Sequence, residues 1–378
     1  MSKSRLQRIR SLTKRLAFSV VPLIVLAGIS ETLLRIDEPS WMACVRTRAC
    51  PPHDLRPAFY TQQRGNFVVE TAEPLSLYHP TRFWWPRPHV QGTVCGTPGV
   101  RTNSFGHRGP EIELSPTRRN VLLVGDSVVW GSAVQETERF SDRTGSLLRA
   151  RPGLGDVQMV NAAVVGFSTF QALQYVKEEG ARFRPEVVIV CAGINDCWLF
   201  NRSDRESYRA NMTVPQRVKR FLMRSNAFVL IDRYVRELAT WIRTGENPAG
   251  LTFMFREPWN PRRQHRNSPE ETELNIEELG AWAAKAGAGV VLILEDYRTE
   301  HPENWDPVAF VEGRQRLQSR AAARGWRVIR IDNMRRAPYR LQPADYFVDF
   351  CHLNPRGHEI VGAWLADVLE ELLRESAA

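Results

Sequence analysis

Five short aliphatic runs, each next to a stretch with helical spacing, restrict this chain more than any other feature of its sequence. They are Val121–Val124, Val157–Val160, the run in "PEVVIVCAG", the run in "GVVLILE" and the run in "WRVIRID". The third is apolar without alternation, the pattern of a strand covered on both faces. Between them, Glu136–Ala150, "STFQALQYVKEEGARF", "SPEETELNIEELGAWAAKAG" and "DPVAFVEGRQRLQSRAAARG" repeat at helical period, and a last helix follows Pro355. Ser168 is placed to cap the second helix, and Ser268 with Glu271 forms a capping box ahead of Pro269. Strand and helix in alternation predict an α/β fold, a doubly wound and mostly parallel sheet flanked by helices.

Two stretches fall outside that rhythm. Residues 35–118 form a lead-in, rich in proline and aromatics up to about residue 100, which reads as irregular chain laid over the main domain. Within it Phe83, Trp84 and Trp85 read first as packing of that segment; a sugar-binding platform is the alternative. Residues 198–266 carry apolar positions at helical spacing (Val218, Phe221, Leu222; Leu230, Ile231, Val235, Leu238, Ile242) and read as a helical insertion. It packs on the domain, covers the site as a lid, or rests near a membrane. The main domain is then 119–378.

The N-terminus has its own logic. Of 51 lysines and arginines against 42 acids, six lie in residues 1–15, which hold no acid. Without them the charge is about +3, so the basicity is largely a tail and no base-reading motif accompanies it. Nucleic-acid binding is therefore not expected. Residues 16–34, "LAFSVVPLIVLAGISETLL", contain Glu31 as their one charge, and about 19 residues of helix span roughly 28 Å. This predicts a single transmembrane anchor, with the basic tail in the cytoplasm and the body outside it. A cleaved signal peptide is the alternative, and it also exports the body. Of six cysteines, Cys44 and Cys50 could close a small loop, Cys95 has no evident partner, and none has zinc-ligand spacing.

In parallel sheets of this kind ligands bind beyond the carboxyl ends of the strands. There the chain puts Gly125-Asp126-Ser127, then "NAAVVGFS" with Gly166, then "GIND" with Asn195. Near the C-terminus "DFCHLNPRGH" sets Asp349 three residues before His352. A hydroxyl, a glycine backbone, an amide and a carboxylate–imidazole pair form an acyl-transfer set. These four blocks, in this order, resemble those of the SGNH/GDSL hydrolases. The lead-in "RTNSFGHRGPE" and the run "GDSVVWGSAVQETE" resemble membrane-anchored bacterial members, whose catalytic domain is periplasmic. The likeness spans about residues 75–375.

The resemblance implies a flavodoxin-like sheet, Ser127 as nucleophile, and an oxyanion hole made by the backbone N–H groups of Ser127 and Gly166 with the Asn195 side chain. His352 is the type of group that takes the serine proton, and Asp349 the type that fixes its tautomer. His358 is a rival only by proximity, since it falls inside the final helix with no carboxylate three residues earlier. Asp126 and Asp196 read as loop braces. If Asn195 and His352 both reach Ser127, Cys197 and Cys351 are near each other, and a disulfide there is a possibility that sequence alone leaves open.

The expected activity is hydrolysis of an oxygen ester through an acyl-serine intermediate, with no cofactor and no metal. The expected substrate is a small acyl group, such as acetyl, on an envelope or exported saccharide. An O-acyltransferase, or a non-catalytic polysaccharide-binding protein of the same fold, are the alternatives.

Overall fold

A computed structural model describes residues 28–34, 69–71, 76–94, 97–244 and 263–376. The expectations for the basic tail 1–15, for residues 16–27 of the apolar stretch, for the Cys44–Cys50 loop and for Cys95 lie outside these residues. Among the described residues no helix is long and apolar enough to cross a membrane. The chain divides into two compact units, Met1–Cys50 with Thr213–Arg256, and Pro51–Met212 with Glu257–Ala378.

The larger unit is built on a five-stranded parallel sheet. Its strands are β1 (Arg119–Gly125), β2 (Val157–Asn161), β3 (Pro185–Cys191), β4 (Gly289–Leu294) and β5 (Arg327–Arg330), in the order β5-β4-β3-β1-β2. The absence of polar alternation has a direct cause. Val121 and Leu123 of β1 enter one core with the helices Phe140–Arg149 and Pro355–Glu375, through Phe140, Leu148, Leu365 and Leu369. Leu122 and Val124 enter a second core with the helices Thr169–Glu179, Pro269–Lys285 and Pro307–Arg324, through Leu173, Val176, Leu279 and Leu317. Both faces are covered, so both parities are apolar. The strand order reverses direction at β1, and the gap between β1 and β3 is where such sheets bind ligands.

The caps are chemical stops at helix starts. Ser168 accepts from the Gln171 N–H and Ser268 from the Glu271 N–H, each with a reciprocal side-chain bond. Asp306 and Asn354 cap the last two long helices, each followed by a proline.

Two sequence readings need correction. Glu136–Ala150 is not one helix: a 3-10 turn, Glu136–Glu138, stops at Arg139, and the α-helix begins at Phe140. Arg139 is extended there (φ −60°, ψ 142°) and its buried guanidinium donates to the Arg108 carbonyl at 2.9 Å and pairs with Asp142 at 2.7 Å. The inward pull on that side chain breaks the helix. The described part of the lead-in is also not irregular. Val69–Thr71, Gln91–Val94 and Thr97–Arg101 form a three-stranded antiparallel sheet, and Ser76–His79 pairs with Phe83–Pro86. Strands of three to five residues between prolines and glycines are too short for a period to show. Trp85 stacks on Tyr175 at 4.9 Å, with Arg82 4.4 Å from its ring, and Trp84 is buried against Phe167 at 5.4 Å. These two rings are packing.

The smaller unit contains helical residues 28–34 and the helices Val214–Leu222 and Asn226–Thr244. Glu31 accepts from the Ser225 hydroxyl at 2.8 Å and the Ala227 N–H at 3.1 Å, and Lys219 pairs with Asp232 at 2.9 Å. Val214, Val218, Phe221 and Leu222 lie on one face of their helix and Ile231, Val235, Leu238 and Ile242 on one face of theirs, and all eight are exposed. Ile29 and Leu33, one turn apart, are exposed too.

Candidate active site

β1 ends at Gly125, where a Cβ would stand 2.0 Å from the Cys191 carbonyl oxygen of β3. Only glycine allows the two strand ends to close this tightly. Asp126 then caps the short helix Ser127–Trp130, accepting from the Val128 N–H at 2.9 Å, and Ser127 occupies the first helical position. Its backbone N–H belongs to the first turn, which has no acceptor within a helix.

His352 Nε2 lies 2.8 Å from Ser127 Oγ, and His352 Nδ1 lies 2.6 Å from Asp349 Oδ2. A carboxylate only accepts, so Nδ1 carries the hydrogen and Nε2 is left to accept from the serine hydroxyl. Asp349 Oδ1 also accepts from the backbone N–H of His352 at 2.8 Å and of Cys351 at 2.9 Å. Burial opposes charge on Asp349, but His352 and these hydrogen bonds hold its carboxyl down at about 2. Burial likewise opposes charge on His352, and the Asp349 carboxylate outweighs it, so the imidazole is raised above its ordinary 6.5.

Asn195 follows β3, and its Nδ2 donates to Asp126 Oδ2 at 2.9 Å, which uses one of its two amide hydrogens. Gly166 lies on the loop after β2, tied to the end of β1 by the Val164 N–H on the Gly125 carbonyl at 3.1 Å. Its φ of +75° is in the left-handed region that favours glycine. The five residues singled out from the sequence thus fall into three groups. Ser127, His352 and Asp349 are directly linked, Asn195 joins them through Asp126, and Gly166 stands on the adjoining loop.

The loop braces are as expected in kind. Asp196 accepts from the Thr169 N–H at 2.9 Å and from the hydroxyls of Thr169 and Thr272 at 2.5 and 2.6 Å. His358 is spent elsewhere: its Nδ1 accepts from the Phe140 N–H at 3.1 Å, and burial with neighbouring arginines lowers it to about 3. Cys197 and Cys351 are free thiols, so the possible disulfide is not formed. Both sit in an apolar cluster with Ile194, Trp198, Trp305 and Phe310, and Cys197 Sγ is turned to the Gly193 carbonyl at 3.7 Å. Among the described residues, Asp349, Cys351 and His352 have donor atoms within 4.8 Å of one another, as a metal ion would need. The nitrogen and oxygen donors are already bonded to each other and to Ser127.

Sequence reasoning missed three buried ionisable residues around the site. Arg266 donates to the Gly166 carbonyl at 2.7 Å, to both oxygens of Asp204 (3.2 and 2.9 Å) and to Gln171. Trp84 Nε1 donates to the Val165 carbonyl at 3.2 Å on the same loop. Asp204 also accepts from Ser168 at 2.5 Å. The third is Glu295, at the end of β4, whose Oε2 accepts from the Ile194 N–H at 2.9 Å. A lone arginine and acid separated by 62 positions carry no local pattern; only the glycine-bearing loop they grip was visible in the sequence.

The model of the GDSL-like Lipase/Acylhydrolase family matches residues 123–360, well over half of the chain. No curated protein matches it. Among solved structures, the chain is similar to a lipase/acylhydrolase from Enterococcus faecalis (17% identity, TM-score 0.42, covering 67% of this chain and 96% of that one). It is also similar to an acetylxylan esterase from Geobacillus stearothermophilus (16%, 0.41, 68% and 96%) and to a psychrotrophic esterase from a Pseudoalteromonas species (12%, 0.40, 68% and 99%).

Proposed function

Because the chain belongs to the GDSL-like lipase/acylhydrolase family, and is thus a serine ester hydrolase, we propose that Ser127 is its nucleophile, His352 its general base and Asp349 the group that orients the imidazole. The observation that carries this reading is the continuous chain from Asp349 through His352 to Ser127, at 2.6 and 2.8 Å. Ser127 Oγ attacks the ester carbonyl carbon as Nε2 takes its proton. The oxyanion accepts from the N–H groups of Ser127 and Gly166 and from the Asn195 amide hydrogen that Asp126 leaves over. Nε2–H then protonates the departing alkoxide, leaving an acyl-serine. Water repeats the sequence, giving its proton to His352 and releasing the acid.

Two consequences are measurable. The base must be neutral to accept the serine proton, so kcat/KM rises with pH, with its midpoint above 6.5 because Asp349 raises the imidazole. A profile with its midpoint below 6.5 contradicts this assignment. Asn195→Ala removes one oxyanion donor and lowers kcat by about 100- to 1000-fold, with KM little changed.

The substrate is a short acyl group, such as acetyl, on an exported saccharide. Export rests on the basic residues before position 16 and the apolar stretch 16–34, which place the body on the far side of an inner membrane. The exposed apolar stripes of the smaller unit support a lipid-facing position for it, with exposed Arg217 and Arg224 beside Phe221 suited to anionic headgroups. A photo-crosslinking residue at Phe221, in the full chain on vesicles of phosphatidylethanolamine and phosphatidylglycerol, will form phospholipid adducts. Adducts to protein alone contradict that placement. Release of acetate from acetylated saccharides by the wild type, and not by Ser127→Ala, tests the activity; failure on every ester that a control esterase cleaves overturns it.

A further inference from the structure

The proposed mechanism does not use every buried carboxyl near the site. Glu295 is 4% exposed, and its Oε2 holds the N–H of Ile194, the residue before Asn195. Its other oxygen faces the Cys191 thiol at 3.9 Å. Asp126, wholly buried, spends Oδ1 on Val128 N–H at the nucleophile helix and Oδ2 on Asn195 Nδ2. The two carboxyl groups thus hold consecutive residues of one loop, Ile194 and Asn195, and each shifts the titration of the other.

Two buried carboxylates so placed repel each other, and neither has a hydrogen to give the other. The arrangement favours a proton on one of the pair. Asp126 has two N–H donors and the nearby His352, all of which favour its charged form. Glu295 has one backbone N–H and faces the charges of Asp126 and Asp196. Burial drives both upward, Asp126 to about 6 and Glu295 well above the carboxylate range. These directions favour the proton on Glu295.

We propose that neutral Glu295 is a positioning residue for the oxyanion hole: it accepts from Ile194, donates to Asp126, and so clamps the Asn195 loop to the nucleophile turn. Asp126 passes the constraint on, orienting the Asn195 amide with one oxygen and capping the Ser127 helix with the other. The inference rests on Asn195 being an oxyanion donor. It adds a link between β4 and the reacting atoms that the four sequence blocks do not contain.

Three variants of the full chain test it. In Glu295→Gln the amide oxygen still accepts from Ile194 and the amide N–H still donates to Asp126, so kcat stays within about threefold of wild type. Glu295→Ala and the similarly sized Glu295→Met lose the clamp, and kcat falls by about 10- to 100-fold with KM within about twofold, as for a displaced catalytic group. The inhibition constant of a boronic acid that forms a tetrahedral adduct on serine should rise by the same factor in these two variants only. Equal kcat in all four proteins, Gln as damaging as Ala and Met, or unchanged boronate affinity in Ala and Met overturns the proposal. Should both apolar variants fail to fold, the infrared difference between wild type and Glu295→Gln decides it: the carbonyl band of a protonated carboxylic acid is expected, and its absence refutes the assignment. A wild type that binds no boronate would instead overturn the reading of Ser127 as nucleophile.

Discussion

Replacing Ser127 by alanine is expected to lower ester turnover by about 10⁴- to 10⁶-fold, the range in which loss of a nucleophile or its base falls when the two act as a unit. The size of the effect follows from how little else the site can do. A water molecule attacking directly would still meet the oxyanion donors and His352, but it would lack the position that the strand end gives to Oγ. His352→Ala should cost about as much, and the double variant little more than either, because each step needs both groups. An additive double variant would show that serine and imidazole act independently, which the 2.8 Å contact does not permit. The fold should survive Ser127→Ala, since the helix cap is the Asp126 side chain and not the serine hydroxyl.

The largest effect on stability is expected from Arg266→Met. Its guanidinium is nearly inaccessible and bonds Asp204, Gln171 and the Gly166 carbonyl, while lying 5.6 Å from the Trp84 ring. Removing it leaves the Asp204 carboxylate buried with the Ser168 hydroxyl, which cannot neutralise it. Breaking a buried pair from one side costs about 3–5 kcal/mol, a fall in melting temperature of many degrees. Pairing the change with Asp204→Leu should recover most of that loss, because the desolvation penalty of the orphaned charge disappears with it. Turnover need not recover, since the Gly166 loop would still lack its anchor. A single variant that melts with the wild type would mean that Arg266 is not held as described.

The residues to which we assign the chemistry were the easier ones to read. Ser127 stands two residues after the end of an unmistakable strand, Asp349 and His352 are three positions apart, and Ser168 and Ser268 announce their helices by local hydrogen bonding alone. Each of these signals fits within a window of a few residues. Arg139, Arg266 and Glu295 do not. A charged residue in a sequence reads as solvated surface, and its burial is decided by partners far away: Arg108 for the first, Asp204 and Gly166 for the second, Ile194 and Asp126 for the third. The lead-in strands escaped for a related reason, because pairs such as Val69 with Val94 are set by a register that no short stretch encodes. The glycines mark the boundary between the two cases. Gly125 and Gly166 were noticed as loop residues, but the close approach of Cys191 and the positive φ that require them are visible only in three dimensions.

The central claim is that the hydroxyl at the end of β1 is the attacking group. Its most direct test is to treat the full chain with a fluorophosphonate and map the modified peptide by mass spectrometry. One adduct, on Ser127, formed faster as the pH rises through the imidazole midpoint and absent from His352→Ala, is the expected result. A stable adduct at any other serine, or none where a control esterase is fully labelled, would contradict it.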